Sequence, residues 1–227
     1  MKKDYYLVID TETTINDKVA DFGAVICDRK GNIADQCGVL VSGVFGIDPL
    51  FYIPKEEASS LWSKQGKDRR FTKYNEMLEN GTRMLASVNA INNWLAKVAG
   101  QYDPILTAYN LPFDMDKCNK TGIDLTIFKN SFCMWRVAFN KYAMTKSYKN
   151  FTMQIHAINP PTKFGNCSFQ TNAEIMTKFI TKNPELAEEP HLALEDVIYY
   201  ELLILKNMLK NMTKSELLEN DLGFDWR

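Results

Sequence analysis

No cysteine of this chain stands in a CxxC pair, and the five present (Cys27, Cys37, Cys118, Cys133 and Cys167) are odd in number. That argues against a zinc site or a disulfide framework and for reduced thiols in a cytosol. No uninterrupted apolar run is long enough to cross a bilayer, and the first residues lack a signal-peptide layout. A cytoplasmic protein without a membrane partner is therefore expected. Repeats, low-complexity tracts and linker-like stretches are also missing, so residues 1–227 read as one domain, long enough to bury a sizeable core. Histidine is scarce, with only His156 and His191. The formal net charge of -1 points to no partner by itself.

What is present reads as a mixed α/β chain. Residues 4–10, 19–28 and 33–41 have strand character, with a turn at Arg29-Lys30-Gly31-Asn32 between the last two. They predict an antiparallel three-strand meander, followed by a Gly- and Pro-containing loop over 42–54. From 83 to 98, Met84, Leu85, Val88, Ile91, Trp94, Leu95 and Val98 fall at helical spacing. The stretch 103–110 (DPILTAYN) then predicts a short strand, parallel to the first and beside it. Helices are expected at 114–120 and 134–144, a loop at 156–168, and a long helix at 192–209. The basic run SKQGKDRRFTK (63–73) reads as a solvated surface.

Against this background the run YYLVIDTET is unusual. In a strand, alternate side chains point the same way, so Asp10 and Glu12 sit side by side at the end of an apolar segment. Two such charges are stable together only with a proton, a basic partner or a metal cation. Two more carboxylates stand where they could join them. Asp114 follows the 103–110 strand in AYNLPFDMDKC, and Asp196 opens the last long helix in HLALEDVIYYE, five residues after His191. Asp10, Glu12, Asp114 and Asp196 around one cleft form an all-oxygen set suited to Mg²⁺ or Mn²⁺. Four carboxylates can hold two ions about 4 Å apart, the arrangement used in phosphoryl transfer.

The Asp10-Thr11-Glu12-Thr13 group, the Asn110-x-x-Phe113-Asp114 group and the His191-x-x-x-x-Asp196 group together resemble, in order, the three motifs of the DEDDh family. These are 3′→5′ exonucleases similar to the proofreading subunit of bacterial DNA polymerase III and to ribonuclease T. The motifs span residues 10–196, and the rest of the chain resembles small exonucleases of tailed bacteriophages, which work in the host cytoplasm. The resemblance implies a ribonuclease H-like mixed sheet, the meander plus parallel strands, flanked by helices. It implies two divalent ions, with Asp10 between them, Glu12 and Asp196 completing one site and Asp114 serving the other. His191 is implied as the general base that deprotonates the attacking water, a task suited to imidazole, whose unperturbed pKa of about 6.5 lies near working pH. Thr13 and Asn110 are implied to hold the terminal nucleotide. Leu192 stands where the sister DEDDy enzymes carry a tyrosine, which supports the histidine subtype. Tyr109 replaces the His that many relatives carry before the Asn.

The implied activity is hydrolysis of terminal phosphodiesters of single-stranded nucleic acid, DNA favoured, to nucleoside monophosphates. Alternatives are an RNA-trimming enzyme with the same chemistry and an inactive fold retained as a binding module; the latter is disfavoured because all four carboxylates and His191 are present. Partners are then single-stranded DNA or RNA 3′ ends, and a homodimer, as in ribonuclease T, is compatible with the resemblance. Charge placement suggests a path for the strand. From Leu125 to Ala173 there is no Asp or Glu, while Lys129, Arg136, Lys141, Lys146, Lys149 and Lys163 are interleaved with nine Phe, Trp and Tyr residues from Phe128 to Phe169. Lysines such as Lys146 and Lys149 suit backbone phosphates, and exposed rings would stack on bases. The plainer reading is that most of these rings are core.

Overall fold

The computed structural model describes residues 4–51, 64–161, 165 and 167–220. Parts of four expectations lie outside these residues: the end of the 42–54 loop, Ser63 of the basic run, residues 162–164 and 166 of the 156–168 loop, and Lys163 with Phe164 in the aromatic stretch. Among the described residues the strands β1 (Tyr5–Thr13), β2 (Val19–Asp28), β3 (Ile33–Val41), β4 (Met84–Ala86), β5 (Ile105–Ala108) and β6 (Ser131–Cys133) form one sheet ordered β4-β3-β2-β1-β5-β6. β1, β2 and β3 pair antiparallel, as the meander requires. β5 adds to β1 in parallel, β6 to β5, and β4 to β3. No described helix is long and apolar enough to cross a membrane.

β1 is apolar on both faces because helices cover both. Tyr6 and Val8 pack into one core with Val137, Met176, Ile204 and Leu205, whereas Leu7 and Ile9 pack into the other with Ile91, Leu95 and Val98. The first core is built on α4 (Met134–Ala138), α6 (Ala173–Thr181) and α8 (Leu202–Asn211); the second on α2 (Val88–Tyr102) and α3 (Leu111–Thr121). The remaining α-helices are α1 (Lys64–Glu79), α5 (Lys146–Gln154), α7 (Ala193–Asp196) and α9 (Lys214–Asn220), and π-helical segments follow α4 (Phe139–Ala143) and α7 (Val197–Glu201). Alternation along β1 puts Asp10 and Glu12 on the Tyr6–Val8 face, under α7.

Three sequence expectations change. The helix expected over 83–98 begins at Val88, because Met84 and Leu85 form edge strand β4 instead and stand 63% and 55% exposed. Ser87 then caps α2, its side chain accepting the Ala90 N–H at 3.2 Å. The run 63–73 is not a solvated surface throughout: from Lys64 it lies in α1, and Arg70 is 1% exposed. The long helix expected at 192–209 extends to Asn211 and is interrupted by a π-helical turn, Val197–Glu201, between α7 and α8.

Two glycines let α7 reach the sheet. Gly23 on β2 pairs with Asp10 and with Gly38 on β3. A Cβ on Gly23 would lie 2.3 Å from the Ala193 carbonyl carbon and the Leu194 nitrogen, and one on Gly38 would lie 2.6 Å from the Leu194 side chain. Any larger residue would push α7, and Asp196 with it, off β1.

Candidate active site

The four carboxylates singled out in the sequence come together at the C-terminal end of β1. Asp10 and Glu12 leave the same face of that strand. Asp114 enters from the first turn of α3, where Pro112 helps start the helix and the Thr11 hydroxyl donates to its Oδ1 at 2.8 Å. Asp196 closes α7. Glu12, Asp114 and Asp196 are all buried. His191 sits just before α7 with a left-handed backbone, φ 53°. Its Nδ1 lies 3.9 Å from Glu12 Oε1. One donor atom from each of Glu12, His191 and Asp196 lies within 4.8 Å of the other two.

Asp10 and Asp114 face a cavity of about 620 Å³, with Asn110, Phe113, Trp135, Glu189 and Glu201 also in its wall. Tyr109 closes one side, its hydroxyl donating to the Thr171 carbonyl, while the Trp135 indole N–H donates to Thr171 Oγ1 at 2.9 Å. Asn110 is exposed and stands at the N-cap of α3 without a side-chain cap bond. Thr13 is buried and does not line this cavity; its carbonyl accepts the Phe51 N–H at 2.7 Å. Lys146 and Lys149 lie on α5 and do not line it either. The aromatic stretch is mostly core: Phe128, Phe132 and Tyr148 are buried, and Trp135, Phe139 and Tyr142 pack partly buried against core clusters. Of these rings, Trp135 is the one in the cavity wall.

Several groups here were not visible in sequence. Arg70 from α1 is a buried basic partner for Glu12, with Nη1 2.8 Å from Oε2. Asp21 faces Glu12 across the β1–β2 ladder and is fully buried. It accepts the Tyr74 hydroxyl at 3.0 Å and the Ala193 N–H at 2.9 Å, and Arg83 lies 3.6 Å from its other oxygen. Asp21 thus holds the first turn of α7 against β2. Glu201, 3% exposed, accepts the Tyr109 N–H at 3.2 Å.

So many acids in one desolvated place raise one another's pKa values. Burial and the neighbouring Asp21 charge push Asp10 up to about 7. Burial raises Glu12 well above the usual carboxylate range even though Arg70 opposes it. Burial and Asp10 raise Asp114; burial, Glu189 and Asp10 raise Asp196; burial and Asp10 raise Glu201. Glu189 is pushed up to about 8 by burial and by Asp10. Among the described residues, Asp196 Oδ1 and Glu201 Oε2 are buried without any hydrogen-bond partner. Buried carboxylate oxygens without donors, in an oxygen-rich set with one imidazole, fit a hard divalent cation.

Neither the family models nor the curated proteins compared with this chain contain a match to it.

Proposed function

We propose that this protein is a divalent-cation-dependent 3′→5′ exonuclease, of ribonuclease H-like fold, that removes nucleoside monophosphates from single-stranded ends, DNA favoured. One observation carries the reading. Four motif carboxylates from three distant parts of the chain, three of them buried and Asp10 partly so, come together beside a nucleotide-sized cavity, and Arg70 is their one described Lys or Arg partner. A purely structural cluster would bring a basic side chain or a donor to each acid, since an uncompensated buried charge is costly.

In this reading Asp10, Glu12, Asp114 and Asp196 hold two Mg²⁺ or Mn²⁺ ions. The ions supply charge neutralisation at the scissile phosphate and a more acidic water. His191 takes the proton of the attacking water, and Glu12, 3.9 Å from Nδ1, stabilises the imidazolium that results. Water oxygen bonds to phosphorus, the bond to the 3′ oxygen of the preceding nucleotide breaks, and that oxygen leaves as the new 3′ hydroxyl with a proton taken from solvent, to which His191 later returns the one it accepted. Asn110, Phe113 and Trp135 hold the terminal nucleoside in the cavity. The test is to incubate the chain with 3′-labelled single-stranded DNA, duplex DNA and RNA, with Mg²⁺ or with EDTA. Release of labelled monophosphate from the single strand, abolished by EDTA, is expected; no release from any substrate would overturn the proposal.

A further inference from the structure

Glu201 lies five positions after Asp196. In a regular α-helix, at 3.6 residues per turn, two such positions point well apart. Here Val197–Glu201 forms a π-helical turn, with the Leu202 N–H reaching the Val197 carbonyl five residues back. In that geometry the residue five along sits about one turn above the first, so Asp196 and Glu201 are brought toward the same side of the helix. Single π-turns inserted in α-helices are frequent at functional sites.

The environment of Glu201 is not that of a structural acid. One oxygen accepts the Tyr109 N–H at 3.2 Å. The other is buried and has no partner among the described residues. The side chain is 97% buried and shares the wall of the cavity with Asp10, Asp114 and Glu189. Holding the Tyr109 N–H would need only a neutral amide such as glutamine. A carboxylate placed beside two others, with one oxygen unused, calls for a cation. The grouping Glu12, His191 and Asp196 is the one three-donor set within 4.8 Å among the described residues, whereas Asp10 and Asp114 line the same cavity as Glu201.

We infer that Glu201 is a fifth cation-holding carboxylate, completing with Asp10 and Asp114 a divalent-cation position next to the Glu12–His191–Asp196 group. This rests on the two-ion reading above but is independent of which substrate the site cleaves. The test counts Mn²⁺ bound to the metal-stripped full chain by electron paramagnetic resonance. Wild type should bind two ions per chain, and Glu201→Gln, which keeps the acceptor for Tyr109, should bind one with the second weakened at least tenfold. Glu12→Gln should instead keep the Glu201-dependent ion. Two ions bound by Glu201→Gln at wild-type affinity would overturn the inference, as would a wild-type chain that binds no second ion. Should Glu201→Gln not fold, Glu201→Asp retracts the carboxylate by one methylene while keeping its charge. Selective weakening of one ion then supports the inference, and two ions at unchanged affinity overturn it. Wild type that binds two ions in this Glu201-dependent way yet releases no nucleotide supports the inference while removing the exonuclease reading.

Discussion

Arg70 Nη1 lies 2.8 Å from Glu12 Oε2, and neither side chain is more than a tenth exposed. The pair joins α1 to the end of β1, and Arg70 also donates to the Phe51 carbonyl at 2.9 Å. An arginine suits this place because its fork can bind a carboxylate and a carbonyl at once without losing its charge. Glu12 is therefore neutralised from one side by the protein, while its other oxygen faces His191.

Replacing Arg70 by alanine should leave Glu12 buried without its cation and destabilise the fold by about 3–5 kcal/mol, the usual result of removing one partner of a buried pair. Added Mg²⁺ should recover more stability in Arg70→Ala than in wild type, since the ion becomes the remaining counter-charge for Glu12. Urea melts in EDTA and in Mg²⁺ measure both effects. A loss below about 1 kcal/mol would mean that the pair contributes like a surface ion pair.

The pKa of Asp10 sets a sign for the pH dependence of the cation-free protein. Its ordinary value of 3.8 is raised to about 7 by burial and by Asp21. Between those values the unfolded chain has released the proton and the native chain still holds it. Stability from this group is thus complete at low pH and is lost as pH rises through about 7. In EDTA, Asp10→Asn should be relatively more stable than wild type at pH 8 than at pH 5; assayed separately with Mg²⁺, it should show no nuclease activity at either pH. Parallel pH profiles of the two urea midpoints would show that Asp10 ionises normally in the fold.

Much of this architecture was legible because short apolar runs bounded by turn residues are a strong strand signal. The three meander strands, the parallel β5 and the convergence of Asp10, Asp114 and Asp196 all follow from strand ends and helix starts. What escaped has physical causes. Arg70 sits in a charged run whose hydrophilicity hides one buried position. Glu201 falls off the face of an ideal helix and joins the site only through a π-turn. Met84 and Leu85 fit a helical stripe by spacing, yet a cap at Ser87 and pairing with β3 assign them to a strand. The aromatic residues of 128–151 were ambiguous because rings that stack on bases and rings that fill a core have the same composition; burial separates them.

His191→Ala should lower kcat by about 10²–10⁴-fold with little change in Mn²⁺ affinity, the usual share of a general base. The acidic limb of the pH–rate profile should disappear with it. Persistence of that limb in the variant assigns the base to another group. A large loss of Mn²⁺ affinity would instead make His191 a ligand, a role its place within 4.8 Å of Glu12 and Asp196 donors also permits.

The cavity and the basic helix α5 act on different parts of the strand. Trp135 lines the cavity with Asp10 and Asn110, so a base stacked on it belongs to the terminal nucleotide. Loss of one base–aromatic stack is worth about 1–3 kcal/mol. Trp135→Ala should therefore raise KM by roughly 5- to 150-fold for a dinucleotide and for a long oligonucleotide alike. Lys146 and Lys149 stand outside the cavity on α5. Lys146→Glu combined with Lys149→Glu can then act only on nucleotides further from the 3′ end. The double variant should leave the dinucleotide unaffected, raise KM for the long strand, and flatten its salt dependence by the loss of phosphate contacts. An unchanged KM and salt slope with the long strand would take α5 out of the path and leave recognition to the cavity alone.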